Sequence, residues 1–220
     1  MHVETPEGAG TEPSRRAPTI ADWLAIPEEK RAELIGGRIV YQGMPGPLHG
    51  RAQVKTASRI EDPYDRRPGE AGKPGGFWLS MEVDMHIGGI GCRPDLLGWR
   101  RDRFPRFPKP DERGLVTDVP DWICEVLSPG TVSTDWGKKR RAYHQAGVPY
   151  YWLLDPDNRT LVVLRRVEED YLVALVAGDH EEVQAPPFEA VKLVVSDLVG
   201  QEGEARESEA GAEGQGEPTP

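Results

Sequence analysis

The sequence predicts an α/β or α+β fold, a mixed sheet with helices packed against it. Short alternating or continuous apolar segments recur at 38–42, 77–87, 93–99, 122–127, 150–154, 160–166 and 171–176, as strands do. Segments of helical spacing lie among them, the plainest at 135–146. Because strands and helices are interspersed rather than segregated, the order favours helices layered on one mixed sheet.

Taken in order, 20–26 and 28–35 read as two short helical pieces, the first started by Thr19 three residues before Asp22. Gly36-Gly37 then turns the chain into a strand at 38–42. A Pro/Gly turn (MPGP) leads to a helix at about 49–60, and DPYDRRPGEAGKPGG is a loop by composition. The segment 77–87 alternates and reads as one strand, paired with 93–99 across a hairpin-like turn at 88–91. A Pro-rich charged loop spans 102–118, and 122–127 is an apolar strand interrupted by one charge, Glu125. The helix at 135–146 is closed by Gly147, with Pro149 beyond it. Further strands are expected at 150–154, 160–166, 171–176 and 191–195.

With 220 residues the chain suits one domain with frayed ends. Segments 1–18 and 200–220 are rich in Gly, Pro, Glu and Ser and almost free of large apolar residues, so they are expected to be disordered tails around a folded domain at 19–199. No stretch approaches the ~20 apolar residues of a membrane span. The N-terminus lacks an apolar signal core, so a cytoplasmic protein with no membrane partner is expected. Cys92 and Cys124 make neither a disulfide framework nor a zinc knuckle and are expected to be reduced thiols.

The net charge of −10 argues against an anionic partner until its distribution is considered. The tail at 200–220, with six Glu against one Arg, and that at 1–18, with three Glu against two Arg, carry six of those ten charges. The remainder holds two basic patches, at 100–113 and at Lys138-Lys139-Arg140-Arg141. A metal-dependent site can itself be acidic, because the ion supplies positive charge locally. Such patches are otherwise solvated faces.

Three residues stand out chemically. In 122–127, alternation puts Ile123, Glu125 and Leu127 on one face, where an ionised carboxylate is costly unless something positive meets it. The competing reading of Glu125 is a structural ion pair or an exposed sheet face. Asp95 follows Pro94, which removes a ladder donor and suggests an edge or bulge from which a carboxylate projects into a cleft; the alternative is an Asx turn. Lys139 shares a helix face with Asp135 and Tyr143, and Ala142 and Ala146 bring that face to the sheet. Its alternative is a surface pair with Asp135 worth ~0.3–0.5 kcal/mol. Two carboxylates and an ammonium suit Mg²⁺, a hard ion that takes oxygen ligands at ~2.0–2.1 Å and keeps several waters, with Mn²⁺ a substitute. Together they would serve phosphoryl transfer by positioning and electrostatics.

The run PDWICEVLSPGTVSTDWGKKRRAYHQAGVPYYWLLDP resembles the signature of the Uma-type family, bacterial proteins described as "putative restriction endonucleases" and a branch of the PD-(D/E)XK nuclease superfamily. AELIGGRIVY and RPDLLGW resemble that family's early segments in the same order, so the likeness covers about 19–199. It implies a restriction-endonuclease-like core, a mixed sheet flanked by helices. By the same likeness, Asp95 would be the first metal-binding acid and Glu125 the second, and the main-chain carbonyl of Val126 would complete the shell. The superfamily's Lys two residues beyond the second acid is here Leu127; Lys139, four residues before Tyr143, fits the position to which it migrates in Uma-type sequences. Glu33 resembles an acid on the first helix that assists the metal through a water. His49 matches a family His for which a structural or capping use is the first expectation, and Asp155 is expected to form a turn. Gly36 stands where the family often has Asp, and the loop at 100–118 looks long.

The implied activity is a Mg²⁺-dependent nuclease, a DNA endonuclease, for which a homodimer would match the two strands of a duplex. Two competing readings are a non-catalytic nucleic-acid-binding or regulatory module that keeps the fold, and an accessory nuclease activated by a partner.

Overall fold

The computed structural model describes residues 16–201. Most of the disorder expected for 1–18 and 200–220 falls at 1–15 and 202–220, outside the described residues. Helix α1 (Ile20–Leu24) begins on the expected signal: Asp22 N donates to Thr19 Oγ1 at 3.3 Å while Thr19 N donates to Asp22 Oδ2 at 2.7 Å.

The next segment departs from expectation. Rather than a helix over 28–35, the chain makes one 3₁₀ turn at Glu28–Lys30 and then strand β1 (Ala32–Ile35). Arg31, at φ 46°, breaks any helix there. β1 pairs antiparallel along its whole length with β2 (Arg38–Tyr41), closed by Gly36 and Gly37 at φ +58° and +70°. A two-residue hairpin turn of this hand needs positive φ at both positions, which only glycine adopts cheaply. Strand pairing thus overrides the helical propensity of EEKRAEL.

Helix α2 (Pro47–Tyr64) starts with Pro in its first turn and runs longer than 49–60. The single strand expected at 77–87 is two: β3 (Phe77–Met81) and β4 (Met85–Ile87), separated by Glu82 at φ 50°. β5 (Ile90–Cys92) returns across Gly88-Gly89 to pair with β4, and β6 (Leu96–Arg100) pairs with β3 from Phe77↔Arg100 to Met81↔Leu96. The tip and base of one long hairpin therefore enter different sheets. Pro94 lies at this crossing rather than in a ladder.

β7 (Trp122–Val126) is followed by a π-helical stretch, Thr134–Lys139, that continues into α3 (Arg140–Ala146) and stops at Gly147, φ 91°. β8 (Tyr150–Asp155) returns parallel to β7; β9 (Thr160–Arg166) and β10 (Tyr171–Gly178) add antiparallel strands. At 191–195 the expected strand shrinks to β12 (Leu193–Val194), paired with β11 (Glu182–Val183). The chain then turns into α4 (Val195–Val199), because Val195, Leu198 and Val199 bury together at helical spacing.

The main sheet runs β10-β9-β8-β7-β6-β3 and the smaller one β2-β1-β5-β4. Alternation divides the interior in two. Trp122, Cys124, Val126, Trp152 and Leu154 pack with α2, α4 and Phe188 on one face of the main sheet. Ile123, Leu127, Tyr151 and Leu153 pack on the other with α3 and the smaller sheet. The two layers on that second side approach closely: a Cβ on Gly88, itself at φ +54°, would stand 2.7 Å from the Cβ of Ala146. Cys92 and Cys124 are free and buried, in different clusters. Among the described residues no helix is long and apolar enough to cross a membrane.

Candidate active site

Glu125 points from β7 into the interlayer between the main sheet and α3, and it is 3% exposed. Alternation along β1 sends Glu33 to the same side as Ile35, which packs in the same cluster as Ile123 and Leu127. Lys139, at the end of the π-helical stretch, enters between them. Its Nζ lies 3.1 Å from Glu125 Oε1, 3.1 Å from Glu33 Oε2 and 3.5 Å from Asp135 Oδ1. Tyr143, on the same helical face, donates its hydroxyl to Glu125 Oε1 at 2.7 Å. Glu33 also accepts from Arg93 N at 2.9 Å and from the Gln42 side chain.

Asp95 stands at the mouth of this cluster, one residue before β6. Its Oδ2 accepts from Val126 N at 2.7 Å, which ties the carboxylate to the end of β7. Its Oδ1 is 3.1 Å from His49 Nε2 on α2, and Gln53 donates to its carbonyl at 3.1 Å. Asp95, Glu125, Asp135, His49 and Lys139 all line one cavity of about 30 Å³.

Four buried carboxylates thus surround one buried ammonium and a histidine. Burial pushes the Glu125 carboxyl well above its usual range; Lys139 opposes the shift, while Asp95, Asp135 and Glu33 add to it. Burial likewise raises Asp135. For Lys139 burial works downward, but Glu125, Glu33 and Asp135 outweigh it and hold the ammonium well above its ordinary value, hence charged. Burial lowers and the Asp95 hydrogen bond raises His49, with a net rise. Burial and Glu125 push the Tyr143 phenol up, so it stays a donor.

Among the fully buried groups carboxylates outnumber cations, with the half-buried Arg31 and Arg93 also lining the hollow, and buried anions are tolerated only when met by cations or hydrogen bonds. Two buried atoms, Asp135 Oδ1 and His49 Nδ1, have no hydrogen-bond partner. The cavity admits one or two water-sized groups. Among the described residues no three Asp, Glu, His or Cys side chains are spaced to enclose a metal by themselves. A donor set of two carboxylates, a strand carbonyl and waters therefore fits a hard, hydrated ion better than a fully caged one.

A family model described as "Uma2: Putative restriction endonuclease" matches residues 18–196. The chain belongs to this family. A search of curated proteins finds no match. Among solved structures, the Uma2 chain is similar to a crystal structure described as "a putative nuclease belonging to DUF820" from Anabaena variabilis ATCC 29413. The likeness has a TM-score of 0.65 and 26% identity, and it covers 84% of this chain and 98% of that one. The restriction-endonuclease-like core expected from the sequence agrees with both comparisons and with the mixed sheet described above.

Of the residues singled out in the sequence, the Uma2 fold gathers His49, Asp95, Glu125, Val126 and Lys139 around the same hollow, and Glu33 joins them through its ion pair with Lys139. Glu33 arrives on a strand, β1, and not on a helix as expected. Val126 presents its N–H to Asp95; in a strand a residue's C=O leaves on the same side as its N–H. Asp155 lies away from the cluster and forms a turn, accepting from Asp157 N at 3.0 Å and Asn158 N at 2.9 Å. Two further members of the cluster, Asp135 and Tyr143, are not singled out by the sequence as site residues. Asp135 stood as a possible surface partner of Lys139 but is 1% exposed, and Tyr143 stood only as a face-sharing neighbour. Their four-residue spacing from Lys139 was the available signal. The basic patch at 100–113 is largely neutralised by Asp102, Asp111, Asp121 and Asp65.

Proposed function

We propose that this Uma2 protein is a divalent-metal-dependent DNA endonuclease whose reacting groups are Asp95, Glu125 and Lys139. The observation that carries this reading is the convergence of Asp95, Glu125, the end of β7 and Lys139 on one small hollow. Asp95, Glu125 and the carbonyl of Val126 would hold the metal. When bound, Mg²⁺ or Mn²⁺ acidifies a water and offsets charge on the phosphate.

The chain's own residues do the rest. His49 and the Val126 N–H fix both oxygens of Asp95, so the carboxylate is oriented before any ligand arrives. Tyr143 and Lys139 do the same for Glu125 Oε1. The Lys139 ammonium, kept protonated by its acidic neighbours, stabilises negative charge growing on the attacking water and the phosphorus-bound oxygens. Glu33 and Asp135 position that ammonium, and Glu33 is in turn held by Arg93 N and Gln42. Attack of the water oxygen on phosphorus, its proton passing to solvent, breaks the bond to the leaving sugar oxygen, which takes up a proton from solvent.

The test uses plasmid and single-stranded DNA with Mg²⁺ or Mn²⁺, and wild type, Asp95→Ala and Lys139→Ala. Metal-dependent cleavage by wild type, lost in both variants, is expected. Cleavage that persists in both variants would locate the chemistry elsewhere. A second reading, a binding module without turnover, draws on the complete ion pairing of Lys139; DNA binding with no cleavage under any metal would favour it.

A further inference from the structure

The acidic hollow opens beside a much larger cavity, which has Glu33 in its wall and whose volume the mechanism leaves unused. It measures about 390 Å³, against about 30 Å³ for the hollow, and Arg31, Gln42 and Arg93 line both. The small chamber has room for an ion and a water. The large one falls within the range of small-molecule sites. We propose that this second cavity is a subsite for one unstacked nucleobase next to the scissile phosphate, with Arg31 gripping the phosphate at the threshold. The inference rests on the phosphodiesterase reading above and extends it to the conformation of the substrate.

Three features support it. The walls suit a flat heteroaromatic ring: Trp23, Leu24, Ile26 and Pro27 form an apolar side, and Trp23 is fixed by donating its Nε1 to Ala32 O at 2.6 Å. The polar side is also fixed, since Arg93 is tied to both oxygens of Asp84 at 2.8 Å and to Glu28 at 2.9 Å. The cavity is therefore shaped before a ligand enters. Arg31 is the third feature. It holds a left-handed backbone conformation, φ 46° and ψ 51°, that a non-glycine residue adopts at a cost. Its Nε is buried with no hydrogen-bond partner, and its charge reaches His49 across the boundary of the two chambers. A guanidinium so placed, with an unmet donor, suits a phosphate oxygen.

A base inside duplex DNA cannot enter such a chamber without leaving the stack, and the cost of leaving is least where the base is already unpaired. The ligand is thus a nucleotide whose base is free to swing out, supplied by a single strand or by a base extruded from a duplex.

The experiment uses the full chain in Ca²⁺, a terminally labelled oligonucleotide with a central 2-aminopurine, its duplex form, and an otherwise identical oligonucleotide with abasic sites. Base fluorescence reports unstacking and anisotropy reports affinity. Wild type should raise the fluorescence of the single strand, bind it about tenfold more tightly than the abasic strand, and bind the duplex more weakly. A fluorescence rise with the duplex as well would identify extrusion as a source. Ala25→Trp, at an exposed position lining the large cavity, should fill the chamber, abolish the rise and weaken binding about tenfold. Leu24→Trp tests the same wall should the first variant melt early. Arg31→Gly keeps the backbone conformation and should weaken intact and abasic strands equally, with the salt slope reduced by about one. Equal binding and equal fluorescence for wild type and both Trp variants, or no binding at all, overturns the subsite. Cleavage with no effect of the Trp variants overturns the subsite while the nuclease reading stands. A base signal lost in Ala25→Trp, without cleavage under any metal, does the reverse.

Discussion

The two faces of β7 are equally buried and opposite in kind. Trp122, Cys124 and Val126 on one face and Ile123 and Glu125 on the other are all at most 3% exposed. Toward α2 the strand meets aromatic rings: Trp122 lies 5.3 Å from Trp152 and 4.9 Å from Phe188, edge to face. There the stabilising agent is apolar area and ring geometry. Toward α3 the same strand meets Lys139, Tyr143 and the other acids, and order depends on matching charge to charge. Burial by itself does not mark a functional position; what answers the buried group does.

Several changes would break or sharpen that contrast. The largest effect is expected for Lys139→Met, which leaves Glu33, Glu125 and Asp135 without their shared cation. Single-turnover cleavage should fall by about 10²–10³-fold, and urea denaturation in chelator should show a loss of about 3–5 kcal/mol. Unchanged stability would mean that the acids shed their charge by other means. On the apolar face, Trp122→Ala should cost a similar ~3–5 kcal/mol through the cavity it leaves. Cleavage per folded molecule should stay within about twofold, as for independent sites; a collapse of rate at low denaturant would show that the two faces are coupled. Third, Mg²⁺ at 100 times its dissociation constant should raise wild-type stability by about 2.7 kcal/mol and leave Glu125→Gln unmoved, as read by thermal shift. The smallest effect is the most telling in sign. Glu125→Gln in chelator should be about 1–2 kcal/mol more stable than wild type, because the amide replaces a carboxyl whose ionised form burial disfavours, and yet it should not cleave. A destabilised Glu125→Gln would show that the bonds from Lys139 and Tyr143 outweigh the burial of the carboxyl.

Much of this was legible because local chemistry is strict at particular positions. The Thr19–Asp22 box, the Gly36-Gly37 turn and the Gly147 stop each state a backbone requirement in the residues themselves. Glu125 was conspicuous as the one charge in an apolar strand, and Lys139 as a cation on a helix face that alanines bring inward. The rest depended on partners distant in sequence. EEKRAELI carries helical propensity, and only pairing with RIVY makes its second half a strand. The alternation of 77–87 continues through Glu82, so nothing local announces that the chain changes sheets there. The depth of Asp135 could not be read from its spacing, since the same four-residue interval serves a surface pair equally well.

The contact of Gly88 with Ala146 carries a mechanical consequence. The tip of the β4–β5 hairpin acts as a stop against the far end of the helix that delivers Lys139. The thickness of that stop is one hydrogen in place of a methyl, since a Cβ there would meet Ala146 at 2.7 Å. A side chain added at this turn would act as a shim, backing the amine and Asp135 away together while Asp95 and Glu125, held by the main sheet, stayed where they are.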